Sequence, residues 1–119
     1  MIEASCHCGK ARLEVPRAPR RLTACNCSIC RRYGSLCAYY KASAVRLKYR
    51  KRDVQKYSWG DRAIRFVRCR TCGCFLHWEQ AKGKRRDRLG INARNLPPEA
   101  IANARIRRFD GAKTWKFLD

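Results

Sequence analysis

Seven of the nine cysteines lie in three short clusters, and these clusters constrain the fold more than any other feature of the chain. Paired thiolates on tight turns can direct two sulfurs at one metal ion. Zinc takes four such ligands in a structural site, and three plus an open position in a catalytic one. Seven clustered cysteines therefore divide into a site with four ligands and a site with three. The clusters are Cys6 and Cys8, then Cys25, Cys27 and Cys30, then Cys69 and Cys72.

A disulfide framework is the competing interpretation for a small chain rich in cysteine. The segment Met1–Cys6 has no basic stretch, apolar stretch or cleavage site of the kind that directs export. We therefore expect a cytoplasmic location, where thiols remain reduced. Spacings of one or two residues also suit a metal better than a disulfide. The sequence thus predicts two Zn²⁺ ions per chain.

Length and charge narrow the possible partners. The chain has 119 residues, which predicts a single domain over residues 1–119 that metal crosslinks would help to stabilise. No segment approaches the long apolar run of a membrane span, so no membrane partner is expected. Lysine and arginine number 29 against 9 acidic residues, a formal net charge of +20. This charge favours nucleic acid or a small anionic substrate, but a solvated basic surface would have the same composition.

Alternation of apolar and polar residues with a period of two predicts β-strands with one buried face. The basic segment 82–88 is predicted to be an exposed loop. The fold class that follows is mainly β, formed by small antiparallel sheets. The stretches that alternate contain Ala11, Leu13 and Val15, then Val45, Leu47 and Tyr49, then Ala63 and Arg65 opposite Ile64 and Phe66.

Two short helical turns are also predicted. One opens at Pro97 and Pro98, which a first helical turn tolerates, with Asn95 as its cap. The other runs from Ser28 to Gly34, where glycine would end the helix.

Spacing alone does not decide which cysteine clusters share a metal ion. Joining the first cluster to the third gives a closed set of four sulfurs that would link distant strands, the usual task of a structural zinc. The middle cluster would then hold zinc with one open position, where a substrate thiol or water could bind. The alternative is that Cys37, Cys74 or a histidine completes this set and makes it structural.

The remaining candidates are weaker. His7 lies between two ligands and would point away from them, and His77 fits a packing role better than a ligand role. Cys37 and Cys74 are predicted to be small buried thiols. Arg31 and Arg32 follow the middle cluster, where they could clamp a carboxylate or simply be solvated. The aromatic residues are expected in the core, although they could also form a substrate wall or a base-stacking platform: Tyr33, Tyr39, Tyr40, Trp59, Phe66, Phe75 and Trp78.

Three motifs resemble the glutathione-dependent formaldehyde-activating enzyme family, which also includes the domain of centromere protein V. They occur in the same order and with compatible gaps across nearly the whole chain. They are CHCG at Cys6–Gly9, CNCSIC with Arg31–Gly34 after it, and FVRCRTCG at Phe66–Gly73, with looser matches at Gly90–Leu96, at Phe109–Gly111 and at Trp115.

The resemblance implies a β-tent fold with a structural zinc on Cys6, Cys8, Cys69 and Cys72. It implies a second zinc on Cys25, Cys27 and Cys30, with its remaining position taken by a thiol such as glutathione. The implied reaction joins formaldehyde and glutathione into S-(hydroxymethyl)glutathione and, in reverse, is that of a carbon-sulfur lyase. No motif in the chain identifies a position that binds glutathione.

Three functional hypotheses follow. The first is a zinc-dependent carbon-sulfur lyase of the S-(hydroxymethyl)glutathione synthase type, which acts on a small thiol and its adduct with formaldehyde or another aldehyde. The second is a basic binding module, held together by zinc, for nucleic acid or another polyanion. The third is a structural or metal-buffering protein with no exchangeable ligand.

Overall fold

The computed structural model describes residues 1–81 and 87–119, which form two β-sheets and two short helices. The prediction of a mainly β fold is confirmed. The strands are β1 (Ile2–Ser5), β2 (Arg12–Val15), β3 (Arg21–Cys25), β4 (Cys37–Lys41), β5 (Arg46–Lys48), β6 (Val54–Tyr57), β7 (Ile64–Cys69), β8 (Phe75–Gln80), β9 (Arg88–Asn92) and β10 (Arg105–Phe109), and the helices are α1 (Ser28–Tyr33) and α2 (Pro98–Ile101).

The smaller sheet has the strand order β1-β2-β5, and the larger one has the order β10-β3-β4-β9-β8-β7-β6. Neighbouring strands are antiparallel except for β10 and β3, which run parallel. The prediction of a fold formed mainly by antiparallel sheets therefore holds, and the parallel pair at this edge is its exception. Parallel pairing is possible because the two strands are distant in sequence and need no hairpin between them.

The two faces of the large sheet have different roles. One face packs against the small sheet, and together they enclose the main core. The large sheet contributes Leu22, Ala38, Tyr40, Leu89 and Ile91 to this core, and the small sheet contributes Ala4, Leu13 and Val15. Side chains alternate between faces along a strand. The residues between these core positions therefore point to the opposite face, where the candidate site lies.

The predicted buried face is present in a strand that has a neighbouring strand on each edge, as β2 has. Ala11, Leu13 and Val15 are at most 1% exposed. Leu47, however, is 42% exposed, so the expected buried face of its stretch is wrong at that position. The reason is that β5 is a three-residue strand at the edge of the small sheet.

The prediction for the first helix is confirmed. It ends at Gly34, whose φ of 63° is in the left-handed region that glycine adopts without strain. The second helix begins at Pro98 after Pro97, so the choice of Asn95 as its cap is wrong. Asn95 instead ends a separate 3₁₀ turn, and its side-chain amide donates to the carbonyl of Phe75 at 2.8 Å.

Most of the predicted basic loop, residues 82–86, lies outside the described residues, and Arg88 at its end belongs to β9. In the described ranges, neither helix has the length and apolar character needed to cross a bilayer.

Candidate metal centres and the adjoining cavities

Four cysteines from the two sheets meet in one cluster. Cys6 directly follows β1 of the small sheet, and Cys69 ends β7 of the large sheet. Cys8 and Cys72 lie on the tight turns that follow, and the turn after Cys69 closes with a hydrogen bond from the amide of Gly73 to the carbonyl of Cys69 at 2.9 Å. The four sulfurs lie within 4.8 Å of one another. The pairing that the resemblance implied is therefore the one that the fold brings together.

The geometry of this cluster fits a metal ion. The sulfur of Cys8 lies 3.6 Å from that of Cys6 and 3.7 Å from that of Cys69. A tetrahedral zinc with Zn–S bonds of ~2.3 Å separates its sulfurs by ~3.8 Å. These four cysteines could hold a metal ion, and the all-thiolate donor set is consistent with zinc.

The second cluster lies where β3 passes into α1. Cys25 is the last residue of β3, Cys27 precedes the helix, and Cys30 lies in its first turn. The three sulfurs are within 4.8 Å of one another. The helix is held against the large sheet by Tyr33, whose ring stacks on that of Phe75 with centroids 4.6 Å apart. The local fold thus directs three thiols at one point.

Two of the three thiols in this cluster, Cys25 and Cys30, hold their protons with different strength. A hydrogen bond from the Cys30 thiol is the main cause that lowers the pKa of Cys25 to about 5. The same bond, with burial, raises the pKa of Cys30. Without a cation, one sulfur therefore carries charge readily and a neighbour does not. A metal ion would allow all three to be thiolates at once.

No fourth protein ligand joins this cluster among the described residues. Cys37 lines the same cavity, but burial raises its pKa to about 12, and its sulfur accepts a hydrogen bond from the indole of Trp78 at 3.2 Å. It is therefore a neutral thiol at physiological pH. Cys74 packs beside the four-cysteine cluster instead.

Neither histidine belongs to a metal cluster of the described chain. His7 is exposed. His77 is completely buried, and its Nε2 lies 2.8 Å from the hydroxyl of Tyr49. Burial lowers the pKa of His77, so it is a neutral core residue.

A cavity of about 380 Å³ opens directly onto the three cysteines. Aromatic rings form much of its wall. Three of the aromatic residues expected in the core line this cavity, as the alternative of a substrate wall predicted: Tyr39, Phe66 and Trp78. Phe75 and Tyr40 are buried in line with the core prediction, whereas Trp59 is 47% exposed. Arg31 and Arg32 are exposed and do not line this cavity, so a carboxylate clamp by them finds no support.

The C-terminal segment closes one side of the cavity. Asn26, between two of the cysteines, donates to the carboxylate of Asp110 at 2.9 Å and accepts from the amide of Ala112 at 3.0 Å. The same carboxylate accepts from the amide and hydroxyl of Thr114 at 3.1 and 2.9 Å. These hydrogen bonds, chiefly the one from Asn26, lower the pKa of Asp110. These hydrogen bonds fix the C-terminal segment in the position where Phe109, Trp115 and Phe117 line the cavity.

Sequence reasoning missed several residues of this wall, among them Thr23, Gln80 and Phe117. Phe109 and Trp115 were marked only by the looser family match near the C-terminus. The alternation Arg21, Thr23, Cys25 was the available signal for Thr23, because a strand places these three side chains on one face.

A second, larger cavity of about 660 Å³ adjoins the first. The two share Thr23, Tyr39, Arg88 and Phe117 in their walls. The larger one is lined by five arginines, which we call the arginine cleft: Arg17, Arg20, Arg21, Arg88 and Arg107.

We expect Asp110→Ala to loosen the C-terminal segment. Removing the carboxylate takes away the acceptor of the hydrogen bonds from Asn26 and Thr114 that hold this segment. Amide hydrogen exchange at Thr114 should then become about tenfold faster or more. Exchange at Ile91, in the middle of the large sheet, is the internal control and should not change. Unchanged protection at Thr114 would show that the segment is held by other contacts.

Comparison with known proteins agrees with this fold. A crystal structure of a protein from Rhodobacter sphaeroides, a structural genomics target, is 26% identical and aligns over 88% of this chain and 99% of that one with a TM-score of 0.72. Comparison with curated proteins found no match. A family model described as glutathione-dependent formaldehyde-activating enzyme matches residues 1–106, which include all seven clustered cysteines. The chain therefore belongs to the glutathione-dependent formaldehyde-activating enzyme family.

Proposed function

We propose that this protein is a carbon-sulfur lyase of the S-(hydroxymethyl)glutathione synthase type, which forms or cleaves the adduct of a small thiol and formaldehyde or another aldehyde. The observation that carries the proposal is a three-cysteine cluster whose open side faces a cavity large enough for a small molecule. Cys25, Cys27 and Cys30 would hold a catalytic zinc. A zinc with three protein ligands supplies a site where a thiol binds as thiolate and where an aldehyde oxygen is polarised.

The residues of the chain would position the thiol and the aldehyde and would keep water away from them. The sulfur of the deprotonated thiol would attack the carbonyl carbon, the π electrons would move to the oxygen, and the oxygen would take up the proton that the thiol released. The product is a hemithioacetal, which is the S-hydroxymethyl adduct when the aldehyde is formaldehyde. The rings of Phe66, Trp78 and Phe109 line the space beside the cysteines and would exclude water from it when the substrates are bound. Holding thiol and aldehyde side by side replaces a bimolecular encounter with a local one.

The four-cysteine cluster would have a structural role. Its members Cys6, Cys8, Cys69 and Cys72 supply a complete set of four thiolates and leave no position for a substrate. We propose that a second zinc there links the two sheets, that residues 1–119 act as one domain, and that the enzyme works in the cytoplasm, where these thiols stay reduced.

The proposal is tested by NMR magnetisation exchange between free glutathione and its formaldehyde adduct with the zinc-loaded protein. We expect the protein to accelerate exchange and Cys27→Ser to abolish the acceleration, because the cluster loses a ligand. Cys74→Ser changes a thiol outside both clusters and should keep the acceleration. If Cys27→Ser remains fully active, the chemistry does not occur at this cluster.

A further inference from the structure

We propose that the arginine cleft binds the distal end of the thiol substrate, and that this end is a dianion, best matched by a phosphate monoester. The inference rests on the proposed function, because it takes the thiol itself to bind at the three-cysteine cluster. It adds a second site, with its own ligand chemistry, to the one described above.

The first argument is that the two cavities form one continuous path. Thr23, Tyr39, Arg88 and Phe117 line both of them. Along β3, Arg21 and Cys25 lie on the same face with Thr23 between them. Four residues of strand separate their α-carbons by ~13 Å. A ligand with its thiol at Cys25 could therefore extend along this strand into the arginine cleft.

The second argument is the charge of the cleft. No acidic residue lines it in the described part of the chain. Arg17, Arg20 and Arg21 have no acidic partner there, and Arg107 pairs with Asp119 at 3.4 Å. The guanidinium of Arg88 lies 4.0 Å from the centre of the Tyr39 ring, which holds it in the wall between the two cavities. Arg17, Arg20 and Arg21 are thus available to a ligand within a concave, partly enclosed site.

The third argument concerns what such a cleft would select. Guanidinium groups bind phosphate and carboxylate through paired hydrogen bonds. Glutathione matches the cleft poorly. Its glycine carboxylate lies about one residue from the thiol, on the order of 4–7 Å away, and its longer arm ends in an ammonium beside a carboxylate. That ammonium would face several arginines. A thiol on a long neutral arm that ends in phosphate satisfies both the separation and the charge.

The dimensions also favour a small ligand over a nucleic acid. The cleft is a cavity of about 660 Å³ that leads inward to the cysteines, within the size range of small-molecule sites. A polymer backbone would instead follow an extended basic surface.

The test uses pantetheine and 4′-phosphopantetheine, which share the thiol and the long arm and differ by one phosphate. Calorimetry with the zinc-loaded full chain should give the phosphorylated thiol at least a tenfold lower Kd, because charge-assisted hydrogen bonds to a phosphate contribute this much or more. Arg20→Gln/Arg21→Gln should bring the ratio of the two Kd values close to one. Arg46→Gln/Arg108→Gln removes the same charge outside both cavities and should keep the ratio.

Further outcomes separate this inference from the proposed function. Equal Kd values for the two thiols in the wild-type protein would overturn the inference and leave the exchange assay with glutathione untouched. Inorganic pyrophosphate probes the cleft without a thiol. Pyrophosphate should bind Cys27→Ser as tightly as the wild type and should not bind Arg20→Gln/Arg21→Gln. This result would support anion binding by the arginine cleft even if the three-cysteine cluster proved inactive. Displacement of pyrophosphate by a single-stranded oligonucleotide, with affinity that falls steeply with salt, would overturn the inference in favour of a nucleic-acid module.

Discussion

Cys69→Ser is expected to lose the metal ion of the four-cysteine cluster and, with it, to unfold at ordinary temperature. Cys69 ends β7, is 1% exposed, and brings the large sheet to the cluster that also holds Cys6 and Cys8 of the N-terminal turn. A structural zinc contributes ~10–16 kcal/mol of apparent binding energy. A domain of this size has a net stability of about 5–15 kcal/mol. The loss of this site therefore removes most or all of the stability.

Metal analysis and thermal unfolding followed by circular dichroism measure this effect. A strong chelator should unfold the wild-type chain in the same way. Cys74→Ser is the matched control, because Cys74 follows Cys72 by two residues and lies outside the cluster. Its variant should keep both metal ions and a Tm within a few degrees of the wild type. A cooperative, wild-type Tm for Cys69→Ser would show that the sheets do not depend on this cluster.

The sequence predicts the metal ligands better than the surroundings of the metal sites. The spacing of Cys25, Cys27 and Cys30 places three sulfurs within one turn and its flanks, so local geometry alone brings them together. The pairing of Cys6 with Cys69 is different, because it depends on how two sheets pack. Spacing left that pairing open. The count of four sulfurs favoured it, and the family resemblance implied it.

The walls of the cavities could not be predicted because they depend on strand order. A period of two places Thr23 on the same face as Cys25, but it does not say that β4 and β10 lie on either side of β3. Tyr39 and Arg107 reach the cavities only through that order. The same holds for Trp78, which lies over Gly90 of the neighbouring strand so closely that a β-carbon at Gly90 would lie 2.1 Å from the indole nitrogen.

The basic composition takes on a specific meaning only in the fold. A formal charge of +20 is equally compatible with nucleic acid, an anionic substrate or simple solvation. The structure gathers Arg17, Arg20 and Arg21 from one segment with Arg88 and Arg107 from two others at a single cavity. A hypothesis about total charge thereby becomes a hypothesis about the ligand of one site. Binding of nucleic acid stays a prediction, which displacement of pyrophosphate by an oligonucleotide would test.

Gly111→Ala is expected to inactivate the three-cysteine site and leave the fold intact. A β-carbon at Gly111 would lie 2.6 Å from the sulfur of Cys25 and 3.2 Å from the β-carbon of Cys27. The first distance is too short for any contact between these atoms, so the sulfur or the backbone must move. Asn26 holds the chain on both sides of Gly111, because its side chain donates to the carboxylate of Asp110 and accepts from the amide of Ala112. The displacement therefore falls mainly on the sulfur that should bind metal.

A shift of ~1 Å at a reacting centre can lower the rate about 100-fold. We expect Gly111→Ala to reduce the acceleration of thiol exchange by about this factor and to weaken binding of the second metal ion, while the four-cysteine cluster, formed by other parts of the chain, keeps the Tm within a few degrees. Ala112→Ser, at the exposed neighbouring position, is the control and should retain both metal ions and the full rate. Full activity and two metal ions in Gly111→Ala would mean that the C-terminal segment does not lie against Cys25 in the working enzyme. The expected result, loss of activity with the Tm retained, would show that residues 107–119 contribute to the site although the family match does not reach them.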